Sequence, residues 1–150
     1  ANQALDRIQS FFPPEQHHQV WMDLSLNLKS MVAQQLLPRK GSNGRVPVVE
    51  VLLNSPLVSD LIRKGEVHLI KDLMAKSTEL GMQTLDQSLT KAYKEGLITK
   101  EDAIRYADSA NDVRLAIKMH EKVQVGAGAT DDFSLSYEEN EDKGRFMGRS

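Results

Sequence analysis

The histidines are the first residues in this 150-residue sequence whose chemistry suggests a metal or catalytic site. His17 and His18 are adjacent, so on a helix their side chains point about 100° apart. No third ligand follows at helical spacing, and a metal site needs several convergent ligands. We interpret the pair as solvated side chains, and His68, near Glu66 and Lys71, as a structural or hydrogen-bonding residue. The sequence predicts no metal site.

Self-contained catalytic motifs are absent from the sequence. It has no G-x-x-x-x-G-K-[ST] loop to cradle phosphates, no G-x-S-x-G elbow and no strand that ends in paired acids. It also has no cysteine, so these residues contain no disulfide, thiolate zinc site or thiol nucleophile. We predict that the chain carries no catalytic residue of its own.

Two arginines allow a functional interpretation. Arg7 follows Asp6 on the polar side of the first predicted helix, and Arg63 lies on a short helix whose other face is apolar. The ordinary interpretation is a surface ion pair worth less than ~1 kcal/mol. The alternative is a charge that reaches across a subunit interface, because the planar guanidinium suits carboxylate or phosphate.

The overall composition indicates a cytoplasmic protein. Charged residues make up 27% and the net charge is −2, which gives no general attraction to nucleic acid or anionic lipid. No apolar run approaches the roughly 18 residues of a membrane span, and no signal peptide precedes the first helix. We therefore expect neither a nucleic-acid partner nor membrane insertion. The chain begins without Met and already in helical register, so we expect a fragment of a longer protein.

Helices and one hairpin must position these residues. An apolar stripe predicts a helix over about residues 15–34, after the two prolines of FFPPE. Two apolar runs flanking RKGSNG predict a β-hairpin, in which Asn43-Gly44 supplies the positive φ of the loop. Pro47 cannot donate a ladder hydrogen bond and places its strand at an edge or beside a bulge.

Turn and cap residues divide the rest into short helices. Ser55 with Pro56 begins one helix and Gly65 ends it, while a second helix ends near Gly81. Thr84 begins the next.

The tract YKEGLITKEDAIRYADSANDVRLAIK then predicts a helical corner. Gly96 closes one helix, Thr99 and Asp102 form a capping box, and Asn111 starts the final helix. A helix-turn-helix DNA reader is disfavoured, because Lys100 and Arg105 are outnumbered by acids on the candidate recognition helix. From about Val123 the periodicity is lost, and the composition predicts disorder.

The tract GMQTLDQSLTKAYKEGLITKEDAIRYADSANDVRLAIK resembles the type IV pilus retraction ATPases, the PilT/PilU family, and is close to diagnostic of them. The resemblance covers about residues 1–118, and ANQALDRIQSFFPPEQ is similar to the segment directly after that family's histidine box. NQALDRI and PLVSDLIRKGEVHLIKDLM resemble the PilU branch most.

The resemblance implies a motor. Members are cytoplasmic hexamers of the secretion-ATPase superfamily, with a PAS-like and a RecA-like domain. Their hydrolysis of ATP with Mg²⁺ drives pilus disassembly through an inner-membrane platform protein. It also implies that the Walker A loop, the acidic boxes and the histidine box precede Ala1. The chain would then bind no nucleotide by itself.

The family's retraction motif, AIRNLIRE, aligns with LVSDLIRK. The matching positions are Leu57, Val58, Ser59, Asp60, Leu61, Ile62, Arg63 and Lys64. Ser59 replaces an arginine and Lys64 a glutamate, so those charges depart from the family pattern. Asp6 and Arg7 match the pair just past the histidine box, where the resemblance implies contact with nucleotide or with a neighbouring subunit.

The expected fold is α+β and mostly helical, with one β-hairpin plus a C-terminal helical bundle, as the end of a RecA-like P-loop ATPase domain. We expect residues 1–54 to close the ATPase core, residues 55–120 to form a helical subdomain and residues 121–150 to be a disordered tail. The expected function is that of a hexameric motor for pilus retraction and twitching motility. Its partners would be other motor subunits, including a PilT paralogue, and the platform protein. The alternative is a free-standing helical interaction module without catalysis.

Overall fold

The computed structural model describes residues 2–127, which form seven α-helices and one antiparallel β-hairpin. In chain order these are α1 (Asn2–Ser10), α2 (His17–Asn27), β1 (Ser30–Pro38), β2 (Arg45–Leu53), α3 (Pro56–Lys64), α4 (Ile70–Lys76), α5 (Leu85–Lys94), α6 (Lys100–Arg105) and α7 (Ala110–Ala127). Single 3-10 turns lie at Pro14–Gln16, Val67–Leu69 and Thr78–Leu80. The mostly helical α+β prediction is confirmed.

The hairpin pairs its two strands from Ser30 opposite Leu53 to Pro38 opposite Arg45. The N–H groups of Val49 and Val51 point away from β1 and donate to the Ser88 hydroxyl and to the Gln83 carbonyl. Pro47 lies two residues before Val49 on the same strand, so its backbone nitrogen faces the same side, away from β1. The N–H that proline lacks would therefore lie on the outer edge. The β1–β2 ladder therefore loses no hydrogen bond, as the edge prediction requires.

Two details of the hairpin differ from the sequence prediction. The loop glycine with positive φ is Gly41, at +73°, and Gly44 does not adopt that conformation. The helix predicted over residues 15–34 is also wrong in its second half, because α2 ends at Asn27 and Leu28 is already extended. The Asn54 amide donates to the carbonyls of Ser25 and Leu28 and stabilises this helix end.

Two apolar cores lie along the hairpin. The first joins its loop end to α5, α6 and α7 through Leu37, Val46, Val48, Leu85, Leu89, Ala92, Ile98, Ala103, Val113 and Ile117. The second joins β2 to α1 through α4 by way of Leu5, Trp21, Leu52, Val58, Ile62, Val67, Ile70, Met74 and Met82. Helices α3 and α4 thus pack with α1 and α2. The sequence-based prediction had placed them with the later helices, in a subdomain of residues 55–120. The domain boundary near residue 54 stays a prediction.

The helical corner has the predicted caps at Gly96 and Thr99, but the final helix begins at Ala110, one residue before the predicted Asn111. Gly96 has a φ of +70°, and the Thr99 hydroxyl accepts the Asp102 N–H at 3.1 Å. The same hydroxyl donates to the Asp102 carboxylate at 2.9 Å, so the Asp102 side chain contacts the Thr99 side chain instead of the Thr99 N–H. A complete capping box occurs at Thr84 and Gln87.

Helix α7 is longer than the sequence predicts. It continues to Ala127, which corrects the prediction of a disordered tail for residues 121–127. Glu121 explains the extension, because it is bound by Tyr93 and Lys100 from the two preceding helices. The disorder predicted for residues 128–150 lies outside the described residues. Among residues 2–127, no helix combines the length and apolarity that crossing a bilayer requires.

Candidate functional site: helix α3 and the cleft beside α1

The residues of the retraction motif divide between two sides of α3. Val58 and Ile62 are fully buried, and Leu61 is half-buried. The Ser59 hydroxyl donates to the Ser25 carbonyl at 2.7 Å and fixes α3 against α2. Ser59, where the family has an arginine, is therefore a packing contact in this chain.

The outward side of α3 carries one acid and two bases. Asp60 pairs with Arg63 one turn on and with Lys64 at 2.6 Å. The hydrogen bond from Lys64, followed by that from Arg63, holds the pKa of Asp60 below its usual value, and Asp60 raises the pKa of Lys64. The side chains of Arg63 and Lys64 are more than half exposed, as is Leu57. Together they form a net-positive face with one apolar residue at its N-terminal end, which we call the α3 face.

Both ends of α3 are fixed, so the orientation of this face is set. At the start, the Ser55 hydroxyl accepts the Val58 N–H, and Pro56 occupies the first turn. At the end, Gly65 has a φ of +72° and closes the helix. A Cβ at Gly65 would lie 3.2 Å from the Trp21 ring nitrogen, so α2 and α3 meet closely here.

Asp6 and Arg7 lie on the exposed side of α1, whose Leu5 is fully buried in the second core. Arg7 lines a cleft of about 540 Å³ between α1 and the hairpin. Other polar residues of the cleft are Asn2, Gln3, Gln35, Glu50, Lys71 and Asp108. Asp6 and the residues of the α3 face are not among its lining residues, so the two predicted groups lie on separate surfaces.

A charge cluster that the sequence analysis missed lies at the far side of this cleft. Lys71 on α4 contacts Asp86 of α5 at 3.2 Å and Asp108 before α7 at 3.3 Å. The Asp86 carboxylate also accepts the backbone N–H groups of Asp108 and Ser109. Burial lowers the pKa of Lys71, but hydrogen bonds and charges from the two aspartates outweigh it and raise the pKa overall.

Little in the sequence predicts this cluster. Lys71 and Asp86 are 15 residues apart in the sequence, and Asp86 and Asp108 are 22 apart. Of the three, Asp108 alone has a local signal in the sequence, that of a helix start. Because each charge is matched by hydrogen bonds inside the cluster, its role in the structure is to join α4, α5 and α7.

The described residues do not by themselves fit a magnesium–nucleotide site. Within residues 2–127, no group of three or more His, Asp or Glu side chains is placed to hold a metal ion. The lysine at the cleft is already engaged by two carboxylates. Arg7 is the cleft residue that the sequence analysis singled out for nucleotide or subunit contact.

Lys100 of the disfavoured recognition helix is likewise engaged. Its ammonium donates to both carboxylate oxygens of Glu121 at 2.8 and 3.0 Å. Helix α6 itself has only six residues. This geometry does not present Lys100 as a free phosphate ligand.

Comparison with known proteins identifies relatives across most of the chain, although no protein-family model matches it. The type IV pilus ATPase PilU of Pseudomonas aeruginosa is 56% identical over 147 residues, which are 97% of this chain and 38% of that protein. A twitching motility protein of Neisseria gonorrhoeae is 35% identical over 75% of the chain and 30% of its own length. The chain thus spans well under half the length of these relatives.

Solved structures show the same arrangement of elements. The crystal structure of the pilus retraction motor PilT with bound ADP matches 75% of this chain and 31% of its own, with 36% identity and a TM-score of 0.66. The ATPase DotB of Legionella pneumophila matches 69% of the chain and 28% of its own with a TM-score of 0.55. At 17% identity, DotB supports the fold alone.

Proposed function

The chain belongs to the type IV pilus retraction ATPase family, and from that premise we propose that it is part of a motor that retracts pili and powers twitching motility. The observation that carries the proposal is the 56% identity to PilU over 97% of the chain. The identity includes the region of α3, whose charged face is fixed at both ends and open to a partner.

The parent protein acts as a cytoplasmic hexamer that hydrolyses ATP with Mg²⁺. Its partners are other motor subunits, of its own kind or of a PilT paralogue, and the inner-membrane platform protein of the pilus. The support is the family membership together with the ADP bound to PilT. Within this chain, α3 supplies a contact surface and contributes no step of hydrolysis.

An ATP hydrolysis assay tests the proposal that the activity belongs to the full-length protein and that this chain alone has none. The full-length protein that contains this chain should hydrolyse ATP, while residues 1–150 alone should show no activity above a mock purification, because they lack a loop that holds the β- and γ-phosphates. Activity in the isolated chain would contradict the assignment. Absence of activity in the full-length hexamer would favour the non-catalytic interaction module.

Arg7 has a separate proposed role at the cleft beside α1. Its exposed guanidinium is suited to a phosphate or to a carboxylate of the neighbouring subunit. In the full-length protein, Arg7→Ala should lower the ATPase rate by at least about tenfold, since an arginine that stabilises phosphoryl transfer is worth more than that. Arg45→Ala, at an exposed arginine of the hairpin, is the matched control. Equal rates for the two variants would exclude the role.

A further inference from the structure

Asn43 and Gly44 form the only Asn-Gly pair in the sequence and lie in the loop that joins β1 to β2. The positive φ of this loop belongs to Gly41, so the pair does not serve the turn in the way that the sequence predicts. Both residues are exposed. Within residues 2–127, no hydrogen bond holds the Asn43 side chain. The Gly44 N–H donates to the Ser42 hydroxyl at 3.3 Å, just beyond the ordinary range of such bonds.

The asparagines inside regular structure are held much more firmly. The sequence has six asparagines, and the side chains of Asn27, Asn54 and Asn111 all hydrogen-bond within residues 2–127. The backbone N–H groups that follow Asn27 and Asn54 also donate to backbone carbonyls, at 3.0 and 2.9 Å. In Asn43 alone of these four, both the side-chain amide and the next backbone nitrogen can move toward each other.

Glycine at position 44 also leaves the backbone nitrogen open to reaction. It has no Cβ, so nothing on the residue itself hinders the approach of its nitrogen to the Asn43 side chain. We propose that Asn43 is a site of spontaneous deamidation, with a base to take up a proton and water as the co-reactant.

The reaction has two steps. The Gly44 nitrogen loses its proton to a base and attacks the side-chain carbonyl carbon of Asn43. The bond from that carbon to Nδ2 breaks, and the nitrogen takes up a proton and leaves as ammonia, so a five-membered succinimide remains. Water then opens the ring. Attack at the side-chain carbon gives aspartate, and attack at the main-chain carbonyl carbon gives isoaspartate.

Either product changes the charge of the hairpin tip. Residues 38–46 contain three bases, Arg39, Lys40 and Arg45, and no acid. All three are exposed and have no ion-pair partner within residues 2–127. The new carboxylate lies among these bases and removes one of the three net positive charges of the tip. The charge of this surface therefore falls as the protein ages.

Peptide mapping by mass spectrometry tests the proposal on the full 150-residue chain, incubated folded at neutral pH. Asn43 should be converted to aspartate and isoaspartate at least about tenfold faster than Asn27 or Asn54 in the same sample, a barrier difference of about 1.4 kcal/mol. The rate should rise from neutral to alkaline pH, because the Gly44 nitrogen attacks after losing its proton. Equal rates at the three asparagines, or a rate at Asn43 that does not change with pH, would overturn the proposal.

Gly44→Ala tests the role of the attacking nitrogen. Gly44 does not have a positive φ, and a Cβ there would lie 3.4 Å from the Ser42 Oγ, an ordinary contact, so alanine fits the folded loop. The variant should keep the native circular dichroism spectrum and slow the conversion of Asn43 at least about tenfold. An unchanged rate would contradict attack by this nitrogen. A native rate that rises about tenfold or more in urea would also overturn the proposal, because the folded loop would then protect Asn43.

Discussion

Two glycines close helices in the same left-handed conformation, yet only one of them also lies against a buried side chain. Gly65 and Gly96 have φ angles of +72° and +70°. A Cβ on Gly65 would lie 3.2 Å from the Trp21 ring nitrogen, whereas a Cβ on Gly96 would meet nothing within 4 Å. The two positions therefore separate the cost of backbone strain from the cost of a packing conflict.

Gly65→Ala should destabilise the fold more than Gly96→Ala. Each alanine should cost about 1–2 kcal/mol for the left-handed conformation, and Gly65→Ala should cost about 1 kcal/mol more because Trp21 must move. The free energy of unfolding in urea measures both. Equal losses would show that Trp21 accommodates the methyl group without cost.

Glu121 joins three helices through one carboxylate. It accepts hydrogen bonds from Lys100 and from the Tyr93 hydroxyl, at 2.8 and 2.9 Å. The Lys100 hydrogen bond, followed by that of Tyr93, lowers the pKa of Glu121 from its ordinary 4.5. Ionisation of Glu121 therefore favours the folded state. Its contribution is complete above pH 4.5 and is lost as the pH falls through the lower folded-state pKa.

Glu121→Gln should remove this acid-sensitive contribution. Between about pH 5 and pH 3, the melting temperature of the variant should fall less steeply than that of the native chain. Glu101→Gln, at an exposed acid of α6, is the matched control and should leave the slope nearly native. Circular dichroism melts across this range provide the measurement. A native slope in Glu121→Gln would show that the carboxylate is not coupled to folding.

At the scale of elements, the boundary between α2 and β1 shows where local sequence is insufficient. Leu28, Met31 and Val32 have the spacing of a helix face, but Met31 and Val32 pair with Leu52 and Val51 of β2. Asn54, more than twenty residues away, supplies the hydrogen bonds that end α2. Short apolar runs fit either structure, and long-range pairing decides between them.

Elements with local start and stop signals were predictable. Ser55, Gly65, Thr84, Gly96 and Thr99 take the cap and turn positions that the sequence assigns to them. The motif helix α3 was therefore predictable as an element. The exposure of Leu57 was not, because the division of the apolar residues of this helix between core and solvent depends on contacts with other elements.

Asp86 of α5 contacts both Lys71 of α4 and the backbone directly before α7. Asp86→Ala should cost about 1.5–3 kcal/mol, since it removes charged hydrogen bonds to two backbone N–H groups and to Lys71. Asp112→Ala, in the exposed first turn of α7, should cost only a few tenths of a kcal/mol. Urea unfolding of the full chain compares them. Equal effects would mean that the cluster does not join the helices energetically.

At the scale of the whole molecule, β2 contributes side chains to both apolar cores. Val46 and Val48 enter the first core, and Leu52 enters the second. The α3 face therefore projects from the second core, whereas the helical corner and α7 pack on the first. We infer that variants of the α3 face leave the helical corner folded.

The measurement that tests the central claim most directly is pilus retraction by full-length protein carrying Arg63→Ala, with ATP hydrolysis measured on the same variant. Loss of a charged contact worth about 1.5–3 kcal/mol should weaken retraction by roughly tenfold or more while ATP hydrolysis is retained. Lys91→Ala, at an exposed lysine of α5, is the control and should retract normally. Normal retraction by Arg63→Ala would contradict the assignment of the α3 face as a contact surface of the motor.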